Sequence, residues 1–448
     1  MNGNKQAVVV GAGLVGSLWA VFLARRGYQV KVFERRPDMR AKGYAGGRSI
    51  NLAMSERGWR AVTQAGIRNK IEPVAIPMPG RMMHAVSGEL TYQPYGKTGQ
   101  AIYSVSRGGL NLELLRIAGE MPNVEFFFEH RCVEADLERP NIRFEGPDGA
   151  QIEIEAPLIF ATDGAFSALR YTLQKTDRFN YTQKYLEHGY KELNIPPDAS
   201  GRHRLDPNAL HIWPRGNFML IALPNADGSF TCTLFLPFEG EVSFERLQSD
   251  AEIRAFFDRY FPDVPPLSPD LLDDFRRNPT SSLVTVYCSP WQWQGRILLL
   301  GDAAHAIVPF YGQGMNAGFE DCTILDAMYD EFGGDWSRII PEFARRREPA
   351  GAAIAELALR NFIEMRDLVA DPMFLLRKKI AAHLHEKFPA FQPVYTLVSF
   401  TNTPYHEALA EDDKQNAMFA EILALDDIER RWQGPEVEAI LRKWYPTL

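Results

Sequence analysis

The sequence predicts an α/β fold with a strand–helix–strand opening, a strand-rich middle and a C-terminal third that is mostly helical. The opening is the apolar run AVVV, the turn GAGLVG, and a helix with Leu14, Leu18, Phe22 and Leu23 on its inner side. The middle contains apolar runs of strand length between turn-rich stretches: IRFEG, APLIFATD, ALHIWP, FMLIAL, FTCTLFLPF and RILLLGD. From about Asp321 the apolar residues recur at helical spacing. The pattern therefore predicts a βαβ unit at the start of a mixed fold.

The length and charge of the chain limit the kinds of partner it can have. The chain has 448 residues, more than a single hydrophobic core usually holds, so we expect two or three modules that fold together. The formal net charge of −8 argues against an electrostatic grip on nucleic acid or anionic lipid, which requires a basic surface. We therefore expect a small-molecule partner.

The cysteines and the first apolar segment exclude two further classes. Cys132, Cys232, Cys288 and Cys322 are scattered without a C-x-x-C pair, which suits a reducing compartment and provides no metal-ligand spacing. We interpret them as core thiols and expect no metal site. Residues 7–24 carry no charge, but they contain three glycines and lead directly into the alternating run YQVKVFE. This segment is therefore interpreted as neither a signal sequence nor a membrane helix.

The turn GAGLVG has the G-x-G-x-x-G spacing of a dinucleotide site, between an apolar strand and a helix. The first glycine permits the tight turn, the second lets the backbone approach the phosphates, and the third allows close helix–strand packing. An acid at the end of the next strand can accept hydrogen bonds from an adenosine ribose. The predicted contacts are Gly11, Gly13, Leu14, Val15, Gly16, Glu34, Arg35 and Arg36. Alone, this motif does not distinguish FAD from NAD, and a glycine turn without a ligand is the alternative.

The stretch RILLLGDAAHAIVPFYGQGMNAGFED places Asp302 at the carboxyl end of a strand, where ligands bind in open α/β sheets. A helix begins near Gly314, so the backbone amides of Met315 and Asn316 can face a ligand and stabilise negative charge. The alternative is that Asp302 only caps a helix.

A third motif, LIFATDGAFSALR, contains Asp163, Gly164, Ser167 and Arg170. With the two motifs above, in this order, the chain resembles the group A flavoprotein hydroxylases. The resemblance implies non-covalent FAD and a transient NADPH that reduces it, in keeping with the single G-x-G-x-x-G in the chain. Taken alone, Asp163-Gly164 could be a simple turn.

Further stretches resemble the kynurenine 3-monooxygenase family: FERRPDMR, GGRSINLAMSERG, PGRMMHAVSG, YQPYG, HGYKEL, NALHIWPRGNFMLIALPN, VPFYGQGMN and RNFIEM. This resemblance extends to about Tyr405. It implies hydroxylation of L-kynurenine to 3-hydroxy-L-kynurenine with NADPH and O2, a step of tryptophan catabolism that leads to quinolinate and NAD.

The resemblance also implies that Arg81 and Tyr95 hold the substrate carboxylate, joined by Asn361 and Tyr395, with Glu364 nearby. A guanidinium and a phenol can fix a carboxylate through charge-assisted hydrogen bonds. Without the resemblance, Arg81 would be interpreted as a surface residue and Tyr95 as a loop anchor.

On the flavin side, the resemblance implies that Ala53, Arg107 and Cys132 contact FAD and that the flavin edge lies near Pro309 and Phe310. No side-chain acid or base is assigned, because the amino group of an aniline already donates its lone pair to the ring. We interpret His305 as part of the cofactor loop rather than as a base.

The implied fold is a Rossmann-like FAD-binding domain of the p-hydroxybenzoate hydroxylase type (residues 1–75, 100–175 and 280–335). An antiparallel β-sheet substrate domain (76–99 and 176–279) and a C-terminal helical region (336–448) complete it. Animal relatives end in a membrane anchor, whereas the tail from His406 onward is charged here, so we expect a soluble cytoplasmic enzyme.

Two departures from the motifs are Thr162, where a smaller residue often precedes Asp163, and Ala306, where proline is usual. Two alternative functions stay open. One is a hydroxylase of the same class for another aromatic acid, and the other is a non-catalytic binding protein on the same scaffold. The intact Asp302 and the Gly314 turn argue against the second, since a binding protein needs no flavin motif.

Overall fold

The computed structural model describes residues 5–42, 51–96, 99–365 and 371–448, so Gly46–Ile50 of the stretch GGRSINLAMSERG lie outside the described residues. The chain forms two compact units. The first comprises Met1–Ile76, Tyr103–Leu186 and Ser282–Ala355, and the second comprises Pro77–Ile102, Glu187–Ser281 and Glu356–Leu448. Within the described ranges, no helix is both long and apolar enough to cross a membrane.

The strands follow one another along the chain as β1 (Gln6–Val10), β2 (Gln29–Glu34), β3 (Asn51–Met54), β4 (Ile76–Met78), β5 (Gly80–His84), β6 (Leu90–Pro94), β7 (Ile102–Ser106), β8 (Val124–Phe128), β9 (Arg131–Ala135), β10 (Asn141–Glu145), β11 (Gln151–Glu155), β12 (Ile159–Ala161), β13 (Asn180–Ile195), β14 (Ala209–Pro214), β15 (Met219–Pro224), β16 (Phe230–Pro237), β17 (Ser281–Ser289), β18 (Gln292–Trp293) and β19 (Ile297–Leu299).

The helices are α1 (Leu14–Arg25), α2 (Met39–Lys42), α3 (Glu56–Gln64), α4 (Arg68–Ile71), α5 (Arg107–Gly119), α6 (Ala168–Leu173), α7 (Asp250–Tyr260), α8 (Leu271–Arg277), α9 (Asp302–His305), α10 (Gly314–Glu331), α11 (Trp336–Ile363), α12 (Pro372–Lys387), α13 (Val394–Phe400), α14 (Tyr405–Leu423), α15 (Ile428–Arg431) and α16 (Pro435–Trp444). Short 3-10 turns cover Glu72–Val74, Phe244–Arg246 and Pro309–Tyr311.

The first unit is built on a six-stranded sheet in the order β18-β19-β12-β1-β2-β8. All neighbouring strands are parallel except β18 and β19. The predicted βαβ opening is confirmed as β1, α1 and β2. Leu18, Phe22 and Leu23 of α1 are buried and Leu14 packs against the same core. Gly27, with a φ of 80°, follows the helix.

An aromatic cluster fills the core of the first unit. The ring of Trp19 on α1 meets Phe160 on β12 edge to face at 5.3 Å and Trp336 on α11 at 6.3 Å. The indole N–H of Trp336 donates to the hydroxyl of Tyr28 (2.6 Å), so its polar atom is satisfied inside the core. Trp336 therefore belongs to the core of the first unit, although the sequence placed residues 336–448 in a helical region of their own. In the sequence, the last boundary between the two units falls between Ala355 and Glu356, inside the 28-residue helix α11.

The second unit contains a sheet in the order β13-β16-β15-β14-β5-β6, with β17 beside β13. Its strands pair antiparallel except for β5 and β14, which run parallel with Gly80 opposite Ala209. The expectation of an antiparallel sheet is therefore correct for all but this pair. More than a hundred residues separate the two strands in the sequence, so no hairpin turn fixes their relative direction.

Helices α7 and α8 contribute to the hydrophobic core of this sheet through Phe257 and Phe275. The C-terminal helices have a further core, in which Leu384 of α12, Ile422 of α14 and Leu441 of α16 are fully buried. The helical character predicted for the C-terminal third is confirmed.

The sequence patterns missed β13 and the helices α7 and α8. β13 is the longest strand, but its sequence NYTQKYLEHGYKELNI is mostly polar and carries no apolar alternation. The start of α7 did have a local signal. Ser249 and Glu252 form a capping box, in which each side chain bonds to the backbone of the other residue.

We predict that Gly16→Ala destabilises the fold itself, whether or not a cofactor is bound. A Cβ atom at position 16 would lie 2.0 Å from the carbonyl oxygen of Gly11 and 2.4 Å from the hydroxyl of Thr162. Because the first of these contacts is with a backbone atom, helix α1 must move away from strand β1. We expect this to lower the free energy of unfolding by about 1–3 kcal/mol or more. Urea unfolding of the FAD-free protein measures this loss, and an unchanged midpoint would contradict the close packing of α1 on β1.

Candidate active site

Three chain segments meet at one edge of the first unit's sheet. In the parallel strands β1, β12 and β19, Val10 pairs with Ala161 and Ala161 pairs with Leu299. The strands therefore end at the same level, and they lead into the glycine turn, the Asp-Gly segment and the Gly-Asp segment. The carboxyl ends of strands are where open α/β sheets bind ligands.

The glycines of the first turn have different surroundings. Gly11 has a φ of 100°, and a Cβ there would lie 2.6 Å from the carbonyl oxygen of Thr162. Gly16 faces backbone in the same way, as described above. A Cβ on Gly13, in contrast, would meet nothing within 4 Å. Packing thus requires two of the glycines, whereas Gly13 borders open space next to the first turn of α1.

Two residues lock the turn to the neighbouring segments. A Cβ added at Gly301 or Gly318 would come within 2.9 and 2.6 Å of a methyl group of Val15, so Val15 fills the space that these glycines leave. The hydroxyl of Thr162 donates to the carbonyl oxygens of Val10 and Gly11, at 2.9 Å each. The larger residue before Asp163 therefore ties the Asp-Gly segment to the glycine turn.

Glu34 lies at the end of β2, beside the turn. Its two carboxylate oxygens accept hydrogen bonds from the backbone amides of Ala12 and Arg36, at 2.9 Å each. The carboxylate is therefore held in place by the backbone, and each oxygen keeps a second lone pair for a ribose hydroxyl. Arg35 and Arg36 are exposed.

Asp163 lies under the same edge. One of its oxygens accepts from the amide of Ala168 (2.8 Å) and so holds the start of α6, while its other oxygen, Oδ1, is buried without a partner among the described residues. Burial raises the pKa of this carboxyl. Cys132 on β9 is buried nearby, and burial together with Asp163 raises the pKa of its thiol, which stays protonated. The Cys132 thiol is thus a neutral, buried group in this region.

The Gly-Asp segment turns sharply at Gly301, whose φ is 56°, and exposes Asp302 at the start of α9. The 3-10 turn with Pro309 and Phe310 follows. It leads to Gly312, which also has a positive φ (66°). The sequence-predicted flavin edge is therefore a compact turn between α9 and α10.

Helix α10 begins at Gly314, so the amides of Gly314, Met315 and Asn316 lack carbonyl partners within the helix. The side chain of Asn316 is already used, because its Nδ2 donates to the carbonyl oxygen of Ala53 (2.8 Å) and its Oδ1 accepts from Ser55 N (2.9 Å). Ala53 on β3 is thereby fixed beside the helix N-terminus. The amides, and not the Asn316 side chain, are free to face a ligand.

Arg107 is the first residue of α5, and its side chain is exposed. The preceding Ser106 caps this helix by accepting from Gly109 N (3.3 Å) and pairs with Asn51 on β3. Arg107 and Ala53 thus lie on adjacent chain segments.

A network of buried ion pairs is hydrogen-bonded to the Gly-Asp turn. The sequence motifs did not reveal this network. Arg57 donates to Glu320 (2.8 Å), and Arg347 donates to Glu320 (2.9 Å) and to Asp321 (2.9 and 3.0 Å). All four side chains are at most 5% exposed. Two cations and two anions balance within this core.

Asp321 connects the network to the turn. Its Oδ2 accepts from Gly301 N (3.0 Å) and from Nε2 of His305 (2.6 Å). Burial opposes ionisation of Asp321, but His305 and Arg347 outweigh it and hold the pKa of this carboxyl below its usual value. His305 is thus engaged with a buried carboxylate inside the cofactor loop and is not placed as a free base. Adjacent acids in a helix that is otherwise apolar here were the signal available in the sequence.

In the second unit, the structure brings three of the four sequence-predicted substrate residues together. The Arg81 guanidinium lies over the rings of Tyr95 (5.1 Å) and Tyr395 (5.0 Å), and these two rings stack on each other at 5.1 Å. Arg81 Nε and the Tyr95 hydroxyl are buried, and neither has a hydrogen-bond partner among the described residues. Burial raises the pKa of Tyr95, so its phenol is neutral and can donate.

Asn361 and Glu364 lie near the end of α11. The Asn361 amide is buried and donates to the sulfur of Met365 (3.3 Å). Glu364 pairs with Lys378 of α12, at 3.0 Å. Asn361 is therefore a buried polar side chain, as a ligand contact requires, and Glu364 already has a cationic partner.

Comparison with known proteins identifies the family of the chain. The profile of the family described as "FAD binding domain" matches residues 4–329. The chain is 49% identical to the kynurenine 3-monooxygenase of Flavobacterium johnsoniae over 98% of both chains. It is 50% identical to that of Myxococcus xanthus over 89% of this chain and 87% of the relative. It is 46% identical to that of Sus scrofa over 90% and 85%.

Solved structures share the fold at low sequence identity. The tetrameric form of 2-methyl-3-hydroxypyridine-5-carboxylic acid oxygenase superposes with a TM-score of 0.67 at 18% identity, covering 85% of this chain and 98% of that one. The p-nitrophenol 4-monooxygenase of Pseudomonas putida superposes with a TM-score of 0.66 at 20% identity, covering 92% and 99%. These likenesses concern the fold alone.

The fold and the three converging motifs define an FAD-dependent monooxygenase. Within this class, the chain belongs to the kynurenine 3-monooxygenase family. The alternative of a non-catalytic binding protein is thereby rejected.

The residues at the sheet edge fit FAD. The open space beside Gly13 provides room for the ligand. The amides at the start of α10 provide donors for negative charge, and the buried Asp163 oxygen, which has no partner among the described residues, provides an acceptor. Which individual side chains touch the cofactor stays a proposal. We propose the contacts expected from the sequence, with Asn316 contributing through its backbone.

We predict that Gly13→Ala leaves the stability of the FAD-free protein unchanged but weakens FAD binding. The methyl group would meet no protein atom, yet it would occupy the space where the pyrophosphate must approach the backbone. A loss of about ten- to a hundredfold in affinity, or about 1.4–2.8 kcal/mol, is expected in a flavin-fluorescence titration. Gly16→Ala is the matched control, because it should lower stability without FAD. Equal FAD affinity of Gly13→Ala and wild type would show that the pyrophosphate lies elsewhere.

We predict that Asp321→Asn destabilises the protein by about 3–5 kcal/mol, because Arg347 loses a buried partner of opposite charge. It should also weaken FAD binding, since Gly301 and His305 lose their shared acceptor. Asp330→Asn, on the same helix but 66% exposed, is the control and should change little. Urea unfolding and FAD titration of both variants measure these effects. Similar stability of the two variants would contradict the role given to the network.

Proposed function

We propose that this protein hydroxylates L-kynurenine to 3-hydroxy-L-kynurenine, using NADPH and O2. Relatives of this name, nearly half identical over almost the whole chain, support the substrate class. The observation that carries the proposal is the cluster of Arg81, Tyr95 and Tyr395, which combines a fixed cation with an unsatisfied phenol.

An anionic ligand accounts for the unsatisfied groups of this cluster. A buried donor without a partner costs about 1–3 kcal/mol, and a charged donor costs more. The carboxylate of an amino acid can accept from the guanidinium of Arg81 and from the phenol of Tyr95 at the same time. The two stacked tyrosine rings both lie against the guanidinium and limit its rotation, so the carboxylate would be held in one orientation.

Further residues extend the proposed site toward the rest of an amino acid. We assign Asn361 and Tyr395 to the same carboxylate subsite, in keeping with the buried amide of Asn361. Glu364 follows Asn361 by three residues in the sequence, and its carboxylate is paired with the ammonium group of Lys378.

Bound FAD, once reduced by NADPH, supplies the activation of O2. The chain contributes orientation: Arg81 and Tyr95 fix the carboxylate end of the substrate, which leaves the aromatic ring at the other end. The amides at the start of α10 stabilise negative charge that develops on the cofactor. No side chain has to remove a proton before oxygen transfer, because the amino group of the substrate activates the neighbouring ring carbon.

We predict that Arg81→Met folds and retains FAD but loses turnover of L-kynurenine. Truncating one member of a buried charge pair costs about 2–5 kcal/mol, which corresponds to a fall of about 30- to 3000-fold in kcat/KM. Steady-state NADPH oxidation and mass analysis of the product measure it, and the same assay with NADH compares the two nucleotides.

The controls separate a binding role from a structural one. Arg254→Met, which removes an exposed arginine of α7, should leave the kinetics unchanged. An analogue of kynurenine without the carboxylate should be handled alike by wild type and Arg81→Met, since the arginine then has nothing to bind. Arg81 would be rejected as the carboxylate-binding residue if Arg81→Met had wild-type kinetics with L-kynurenine. It would also be rejected if the variant lost as much activity with the analogue as with L-kynurenine.

A further inference from the structure

A chain of hydrogen bonds between two histidines lies under the strand that carries Arg81. His84 on β5 is bonded through Nδ1 to Asp263 Oδ2 (2.9 Å) and through Nε2 to Nδ1 of His211 on β14 (2.9 Å). His211 Nε2 lies 2.8 Å from the carbonyl oxygen of Asp206. The two histidines are only 3% and 2% exposed. They lie in the stretches PGRMMHAVSG and NALHIWPRGNFMLIALPN, and neither proposed binding site uses them.

Three hydrogen bonds along this chain would require one more proton than two neutral histidines carry. Both of its ends are acceptors, a carboxylate and a carbonyl group. Burial opposes ionisation of Asp263, but bonds from His84 and Trp213 keep the pKa of this carboxyl below its usual value. Three hydrogen bonds need three ring protons, whereas two neutral imidazoles provide two. The pair therefore holds a third proton and one positive charge, next to the negative charge of Asp263.

The surroundings place this charge on His84. The His84 ring stacks on the face of Trp213 at 3.9 Å, and an indole face attracts a cation. Trp213 also donates to Asp263 Oδ2 (2.8 Å), which fixes the counter-ion. Burial, reinforced by the charge of His84, lowers the pKa of His211 to about 4, so His211 is the neutral member of the pair.

Other charged groups around the pair come from each neighbouring element. Asp206 precedes β14 and Arg215 follows it, while Asp263 follows α7. Asp206 favours a proton on His211. Burial, together with the charge of Asp206, raises the pKa of Tyr92 on β6. Burial lowers the pKa of Arg215, and Asp263 opposes this effect. Asp263 thus lies near both His84 and Arg215, while Asp206 lies near His211 and Tyr92.

The pair also fixes the backbone of β5. Met82 is in register with His211 across the parallel pair, and Arg215 donates through Nη1 to the carbonyl oxygen of His84 (2.9 Å). Arg81 lies three residues before His84, on the opposite face of the same short strand. A displacement of β5 at His84 therefore moves the backbone that carries Arg81.

We propose that the proton shared by His84 and His211, held by Asp263, positions Arg81 for the carboxylate of the substrate. This inference rests on the proposed function. Without that proton one of the three hydrogen bonds is lost, and two lone pairs face each other across 2.9 Å or less. β5 and β14 then separate locally, and Arg81 leaves its place. His84, His211 and Asp263 are positioning residues and do not touch the substrate.

The decisive variant is Asp263→Asn, in which an amide oxygen can still accept from His84 and Trp213 but carries no charge. His203→Asn is the matched control. In the part of the chain that the structure describes, His203 bonds to the carbonyl oxygen of Asn225 (2.8 Å) and has no histidine or carboxylate partner. KM and kcat for L-kynurenine are measured on FAD-loaded enzyme from about pH 6 to about pH 9, the range in which histidines with a carboxylate partner titrate.

For wild type we expect KM to rise by about tenfold per pH unit above the titration of the pair, while kcat changes little. Loss of the carboxylate charge should shift this rise to lower pH by about 1–3 units in Asp263→Asn. His203→Asn should follow wild type, and the analogue without a carboxylate should show no difference between the enzymes. The amino group of the substrate titrates in the same pH range and affects every enzyme alike. The test is therefore the difference between the KM profiles of Asp263→Asn and wild type. Identical KM profiles for Asp263→Asn and wild type would overturn the proposal.

A second measurement does not depend on turnover. In wild type labelled with 15N-histidine, NMR near neutral pH should show both nitrogens of His84 protonated and only Nε2 of His211 protonated. Two neutral histidines would overturn the proposal even if Asp263→Asn did not fold. If wild type failed to hydroxylate L-kynurenine at every pH, the proposed function would fall, and these resonances would still decide whether the pair shares a third proton.

Discussion

The cofactor side of the molecule depends on one buried carboxylate, Asp321. It lies on α10, the helix whose N-terminus faces the sheet edge, and it accepts from Gly301 and His305 in the turn that presents Asp302. Ionised groups are stable in a protein interior only when each has partners of opposite charge and its hydrogen bonds are satisfied. Arg347 meets this condition by binding Asp321 and Glu320 together. The network therefore fixes the Gly-Asp turn and α10 relative to each other.

The two proposed binding regions use different kinds of group, backbone in one and side chains in the other. At the sheet edge, the groups available to FAD are mainly backbone: space beside Gly13 and the amides that begin α10. Backbone donors at a helix N-terminus bind phosphate or an anionic ring without any particular side chain. The carboxylate subsite of the second unit consists of side chains, with Arg81 stacked on Tyr95 and Tyr395. Substrate choice can thus change through a few side chains, whereas the cofactor site depends on a turn in which Gly13 leaves space for the ligand and packing requires Gly11 and Gly16.

This division explains how much the sequence predicts. The glycine turn and its βαβ context could be recognised because the strand, the three glycines, the helix and the next strand follow one another between Gln6 and Glu34. Arg81 and Tyr395 are more than three hundred residues apart, and only resemblance to a family suggested that they act together. The buried ion network also joins separate parts of the chain. Arg57 is 263 residues from its partner Glu320, and Arg347 on another helix is 26 residues from Asp321, so no spacing rule connects them. β13 was missed because its polar sequence gains its place from pairing with β16, a tertiary contact that overrides local pattern.

The same physics separates the two buried charge clusters by their response to pH. In the Asp321 network each cation has its own anion, and the depressed pKa of Asp321 means that its stabilisation is present above the usual range of a carboxyl and is lost only in acid. The hydrogen bonds of the His84–His211 pair depend instead on a third proton, so all three form only while that proton is bound and one is lost when it leaves. The Asp321 network therefore has no reason to lose its bonds near neutral pH, whereas removal of one proton from the His84–His211 pair disturbs the strand that carries Arg81. Of these two clusters, the His84–His211 pair is the one that should make substrate affinity depend on pH.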